Sequence, residues 1–316
     1  MKKGSRISME NFKYVYGPIP SRRLGNSLGV SPIPNKTCNY SCIYCQLGRT
    51  NKMTNQRREF IPLADILQEF QAYLQDEDKF DVVTIVGEGE PTLYSRLGEL
   101  ISSIKALTDK PVAVITNASL LNDPQVAADL LHADIVLPSL DAYDEASFKK
   151  IDRPYGHLDF QAIYQGLIDF SHAFQGQLWA EIMLIDNIND DEESLAKFAK
   201  MLEKVRIDRI YINTPVRPPA ESYVKISSSA NIQKAVEKLS AISIEMLSSG
   251  SFFSEIEDDY QAILSIIQRH PMNQHEITSF LKSRQNPNPD NIIEKLKNDQ
   301  QINSIDYKGY TTFRFK

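Results

Sequence analysis

Between residues 27 and 213, six short apolar runs rich in β-branched residues alternate with amphipathic stretches. This alternation restricts the chain to a mostly parallel sheet covered by helices. The runs are Ser27–Pro32, Asp81–Val86, Pro111–Thr116, Ala133–Pro138, Leu178–Ile185 and Ile207–Asn213. Helical patterns fill Arg96–Leu107, Asp123–His132, Phe160–Phe174 and Asp191–Val205. Parallel neighbours need long crossovers, and a helix is the usual one. An open doubly wound sheet and a partial barrel both satisfy this order. The polar residues decide between them: the cysteines, Gly89-Glu90, Asn117, Ser139–Asp141 and Arg217 follow the carboxyl ends of successive strands. Groups from several strand ends converge most naturally in a barrel mouth, so the expected fold is an α/β, TIM-like partial (β/α)6 barrel.

The pattern changes after Asn213. A Pro-rich loop (Pro215–Pro219) and a Ser-rich turn (Ser227–Ser229) lead to an expected helix over Ile232–Leu247, and Gly250 marks a boundary. Three short helical stretches follow, Asp259–Arg269, Gln274–Leu281 and Asp290–Asn298, then a ribbon around Gly309. Helix, helix, helix and hairpin is the order of a winged helix. The expected division is therefore 1–250, a barrel with a basic N-terminal extension, and 251–316, a small winged-helix-like domain.

All three cysteines fall within eight consecutive residues, which leaves none for a disulfide framework and favours a metal site in a reducing compartment. No apolar run approaches the ~20 residues that span a bilayer. Met1–Glu10 lacks the apolar core of a secretory signal. The expected location is the cytoplasm, with no membrane partner. The net charge of −6 hides an asymmetry: Met1–Phe60 carries eleven Lys or Arg against Glu10 and Glu59. Clustered cations around the cysteines point to an anionic substrate or partner; for Lys2, Lys3 and Arg6 a mobile basic tail is the competing explanation. From Asp258 onward there are eight Lys or Arg and seven Asp or Glu, so the last domain lacks the footprint of a DNA reader.

Cys38-Asn-Tyr-Ser-Cys42-Ile-Tyr-Cys45 places thiolates at spacings of four and three. One loop then wraps a cubane and binds three of its irons, leaving the fourth with an open coordination site. Structural zinc, the alternative, takes four ligands, and no His lies near these three. The loop resembles the hallmark of the radical S-adenosylmethionine superfamily, down to the aromatic Tyr44 before the last Cys. Gly87-Glu88-Gly89-Glu90-Pro91 is similar to that family's Gly-Gly-Glu motif, with Glu88 in place of one Gly.

The resemblance implies a 4Fe-4S cluster on Cys38, Cys42 and Cys45 that chelates the methionine end of S-adenosylmethionine. An external flavodoxin- or ferredoxin-like donor supplies the electron that cleaves the cofactor to methionine and a 5′-deoxyadenosyl radical, which abstracts hydrogen from substrate. It further implies that Gly89 and Glu90 meet the methionine ammonium, and that Asn117, Ser139 and Asp141 meet its carboxylate and the ribose. Asn, Ser and Asp also cap helices. Met183 is a candidate for the adenine pocket, or core filling. Arg22, Arg23 and Arg217 suit a phosphate or carboxylate of the substrate, unless they face solvent or orient the cofactor.

The stretch Pro18–Val30, the cysteine loop and Arg217-Pro-Pro together resemble the branch that makes the wyosine base of transfer RNA, over most of Tyr14–Ala220. Known wyosine enzymes carry a second cluster on additional cysteines, which this chain lacks. The expected substrate is RNA, with tRNA first. Radical modification or activation of a protein is the second reading, and a non-catalytic Fe-S sensor with a DNA-binding winged helix the third.

Overall fold

The computed structural model describes residues 12–74, 79–246, 252–254, 256–307 and 309–316. Lys2, Lys3, Arg6 and the boundary glycine Gly250 lie outside them.

In chain order the first half comprises β1 (Val15–Ser21), β2 (Gly25–Val30), β3 (Thr37–Cys38), β4 (Lys52–Met53), α1 (Leu63–Tyr73), β5 (Val82–Ile85), α2 (Leu97–Lys105), β6 (Val112–Thr116), α3 (Pro124–Leu130), β7 (Ile135–Pro138) and α4 (Glu145–Ile151). There follow α5 (Phe160–Ala173), β8 (Gln177–Met183), α6 (Glu192–Leu202), β9 (Arg209–Asn213), α7 (Ser229–Leu239) and β10 (Ile242–Ser243). The main sheet has the order β1-β2-β5-β6-β7-β8-β9-β10 and does not close on itself. Every neighbouring pair from β2 to β10 is parallel, and β1 is antiparallel to β2. This is the partial barrel, with the six expected strands in consecutive order.

The strands read as continuous apolar runs because both faces are buried. Val83, Ile85, Val112 and Val114 join the large core beneath the helices, while Val82, Ala113, Leu137, Trp179 and Tyr211 form a second cluster on the concave face. Helix starts follow local chemistry: Asp123, Asp159 and Asp191 cap α3, α5 and α6, and Asp144 closes a capping box with Ser147 on α4.

The sequence reading of the barrel is corrected at one expected helix and at several elements it did not contain. The helix expected over Ile232–Leu247 is α7 followed by a seventh parallel strand, β10. Ser240 ends that helix in the left-handed region, φ 50°, and turns the chain back to the sheet. Strand β1 and helices α1 and α4 were not anticipated. The first lies in a Gly- and Pro-containing segment that breaks strand periodicity, and α4 is only seven residues long.

The C-terminal unit contains α8 (Asp259–Ile267), β11 (Met272–Asn273), α9 (Gln274–Ser283), α10 (Pro289–Asn298), β12 (Ile302–Tyr307) and β13 (Tyr310–Phe315), with sheet order β11-β13-β12. This is the winged-helix-like arrangement, with β11 as the strand beyond expectation. Its core extends onto the barrel, since Tyr16 and Ile19 of β1 cluster with Ile263, Ile267, Phe280 and Phe313. The small domain thereby covers the edge strand that would otherwise expose unpaired backbone.

Candidate active site

Loop 38–45 leaves the end of β3 and runs across the mouth of the barrel. It is clamped from the segment after α4: Ser41 N donates to Asp152 O (3.0 Å), Ile43 N to Ile151 O (2.9 Å) and Tyr155 N to Asn39 O (2.8 Å). The three thiols are free, half-buried and line one cavity of about 550 Å³. Gly89, Tyr44, Met183, Arg22, Arg23 and Arg217 line it too.

The donor set fits an iron–sulfur cluster. Among the described residues, no three His, Cys, Asp or Glu gather tightly enough to hold a single ion. Three thiolates spread along one wall instead suit separate metal atoms of one cluster. Donors already aim at sulfur: Tyr40 N lies 3.4 Å and Asn117 Nδ2 3.7 Å from Cys38 Sγ. Burial pushes all three thiols up, aided by Glu90 at Cys38 and by Asp152 and Cys38 at Cys42, and opposed at Cys45 by the Leu47 backbone bond and nearby cations. They are held as thiols until a metal competes for the proton's place.

The Gly-Glu-Gly-Glu loop packs directly against β3. Lys36 N donates to Glu88 O (2.6 Å) and Glu90 N to Thr37 O (3.1 Å). A Cβ on Gly89 would stand 1.6 Å from Thr37 O, so only glycine fits there. The Glu90 carboxylate is almost completely buried. Its Oε1 accepts from Thr92 N, Thr92 Oγ1 and Thr116 Oγ1, and Oε2 accepts from Asn117 N. Four donors from its own chain occupy the carboxylate expected to meet the methionine ammonium. In this structure Glu90 braces three strand-end loops against one another.

Asn117, Ser139 and Asp141 line a separate small cavity behind Tyr44, whose ring borders both. Tyr44 Oη donates to Asp141 Oδ2, and Met183 N donates to Asp141 Oδ1 (2.6 Å). Burial raises the Asp141 carboxyl to about 6, opposed by the bond from Tyr44. Asn117 also donates to Asn39 Oδ1 (2.8 Å).

The arginines divide. Arg23 pairs with Glu181, and burial lowers its guanidinium to about 10. Arg217 reaches the C-terminal unit, donating to Glu276 Oε2 (3.0 Å), Glu276 Oε1 (3.1 Å), Pro271 O and the His270 Nε2 (2.7 Å). Burial and the Arg217 and Arg22 cations hold His270 well below the usual imidazole range. Arg22 is exposed, lines the cavity and has no ion pair or hydrogen bond among the described residues.

Sequence reasoning missed Asp152, Arg153, Glu221 and Arg269. Asp152 Oδ1 accepts from Cys42 Sγ (3.5 Å). Arg269 forms a buried pair with Glu88 (3.2 Å), tying the turn after α8 to the glycine loop. Glu221 accepts from Arg49 Nε and Nη2 (both 2.8 Å) and from Arg153 Nη1 (2.5 Å), and these bonds pull its carboxyl down to about 2. A depressed pKa contributes stability that is complete above the unfolded value of about 4.3 and lost as pH falls through about 2. Arg49 is 70% exposed, so solvent screens its arm of the tie. Glu221→Gln is expected to lower apo-protein stability at pH 7. The difference from wild type should vanish between pH 4 and 2 in urea titrations.

Comparison with known proteins agrees with this geometry. The family profile described as the radical SAM superfamily matches residues 33–199. The chain belongs to the radical SAM superfamily, whose members use a 4Fe-4S cluster and S-adenosylmethionine, and it is an enzyme of that class. It is 37% identical over 307 residues to a UPF0026 protein of Methanocaldococcus jannaschii, covering 93% of each chain. It is 42% identical over 223 residues to a protein of Brachyspira hyodysenteriae named GTPase Obg, covering 71% of this chain but spanning only 33% of that longer relative. The solved structure of TYW1 with a lysine-pyruvate adduct bound shares the fold, with a TM-score of 0.51 and 20% identity, over 69% of this chain and 74% of that one. No helix among the described residues is long and apolar enough to cross a membrane.

Proposed function

We propose that Cys38, Cys42 and Cys45 hold the cluster, and that the enzyme abstracts hydrogen from an anionic substrate of about nucleotide size whose charge meets Arg22. The unpaired Arg22 guanidinium carries this reading. Cluster and S-adenosylmethionine, when bound, supply the 5′-deoxyadenosyl radical, with the electron coming from a flavodoxin- or ferredoxin-like donor. The chain's own residues do the rest. The cavity lies within the usual 300–1,000 Å³ of small-molecule sites. Its described lining carries Arg22, Arg23, Lys36, Arg217 and Arg269 against Glu88, Glu181 and Glu276, which leaves it cationic. Arg23, Arg217 and Arg269 are spent on carboxylates, so Arg22 is the one arginine of the described lining left free for the substrate.

A nucleotide extruded from RNA satisfies these terms, with a base that enters the cavity and a phosphate that stays at its rim. Transfer RNA is the first candidate. Residues 251–316, proposed as a separate folding unit, then serve as a wall of the reaction chamber rather than as a DNA reader. Their Arg269, Arg284 and Arg314 all turn inward on the protein's own groups. That wall gives specific support to a second reading, a free small acid that needs no opening of the roof. The cysteine usage supports a cytoplasmic setting.

Arg22→Ala is expected to weaken substrate binding about tenfold to a hundredfold, the loss of one charged contact. Substrate-independent formation of 5′-deoxyadenosine should stay unchanged. Deuterium transfer from labelled RNA into 5′-deoxyadenosine, followed by mass spectrometry at two salt concentrations, separates the readings. Salt-sensitive transfer supports RNA; transfer only from small acids supports the second. Wild-type kinetics in the alanine variant would remove Arg22 from the site.

A further inference from the structure

We propose that Arg314, reaching from the last strand of the C-terminal unit, acts with Lys36 as a two-cation brace. Together they stabilise the reduced, more negative form of the cluster held at Cys45. The proposal rests on the cluster assignment above and extends it to a residue outside the barrel.

Arg314 Nη1 donates to the carbonyl of Gln46, the residue after Cys45 (3.2 Å), and to Pro218 O (3.1 Å). Gly48 N in turn donates to Cys45 O (3.0 Å), so the guanidinium sits on the turn that carries the third ligand. Lys36 approaches the same turn from the barrel side. A Cβ built on Gly48 would lie 3.6 Å from Arg314 Cζ and 3.7 Å from Lys36 Nζ. Lys36 itself is held at φ 53° by Asn51 N and Lys52 N, both donating to its carbonyl.

Two cations therefore converge on one glycine, and neither has a carboxylate partner among the described residues. Like charges repel at this range, and even a half-buried charge without a counter-charge carries a cost. The group that balances them is the one the cysteines hold. One-electron reduction adds a negative charge to the cluster, and net charge around a cluster is among the determinants of its potential. The donor loses that electron and nothing else is transferred. Docking of the C-terminal unit thus brings part of the cluster's electrostatic environment with it.

The test is an EPR-monitored redox titration of the reconstituted full-length protein, with iron and sulfide content measured in parallel. Arg314→Gln keeps hydrogen bonding and removes the charge. It is expected to shift the reduction equilibrium at least about tenfold toward the oxidised form, a fall of about 59 mV for one electron. Arg314→Lys should stay near wild type, and Lys36→Met should fall in the same direction as Arg314→Gln. A midpoint within twofold of wild type in the loaded Arg314→Gln protein overturns the proposal, as does an equal fall in Arg314→Lys, which would mark a purely structural role. If Arg314→Gln does not take up iron, Lys36→Met decides alone, and no shift there overturns the brace. Failure of wild type to assemble any cluster would instead remove the functional reading beneath it.

Discussion

Cys42→Ala is expected to abolish both the four-iron cluster and reductive formation of 5′-deoxyadenosine while leaving the barrel folded. Cys42 is the middle of the three proposed ligands, and the loop's path does not depend on its sulfur. Backbone bonds from Ser41, Ile43 and Tyr155 to the segment after α4 and to Asn39, with the Arg49–Glu221–Arg153 network, hold that path. The sulfur itself makes one weak bond to Asp152. Removing it deletes a ligand without a cavity of consequence. Iron and sulfide analysis with EPR after anaerobic reconstitution, then mass spectrometry of the products, checks this. Full cluster loading in the alanine variant would mean that Cys42 is not a ligand.

What was legible in the sequence was periodic or chemically rare. The six parallel strands are buried on both faces, so their apolar runs stand out, and each lies in the observed sheet. Three cysteines in one loop cannot be mistaken for packing. What escaped notice depends on tertiary contact. Asp152 matters because α4, a helix too short to show an amphipathic period, returns the chain beneath Cys42. Arg269 reads as an ordinary surface cation until the turn after α8 is seen against Glu88. Glu88 itself looked like a departure from a glycine motif, yet it is the anchor for that arginine. The arginines show the converse limit. Arg22, Arg23 and Arg217 are indistinguishable by composition, and only their partners separate two structural cations from one that is free.

The second large effect is expected at Gly89, where the demand for glycine comes from another segment's backbone. A methyl group there would stand 1.6 Å from Thr37 O and 2.6 Å from Thr37 C. Overpacking costs about 1–3 kcal/mol when side chains give way. Here the obstacle is the peptide before Cys38, which also accepts the bond from Glu90 N. Gly89→Ala must break that bond and push β3 outward, so a loss of more than about 3 kcal/mol is expected. For a barrel of this size that lowers Tm by about 6–12 °C. The displaced strand carries Cys38, so iron uptake should fall as well. Gly87→Ala is the control from the same loop: its Cβ would lie 3.3 Å from Ile33 Cβ, a contact that a displacement of a few tenths of an ångström relieves. Thermal melts of the two apo variants, followed by iron titration, measure the difference. Equal, small effects in both would show that the glycine loop is free of β3, and the link between glycine loop and cysteine loop would fall with it.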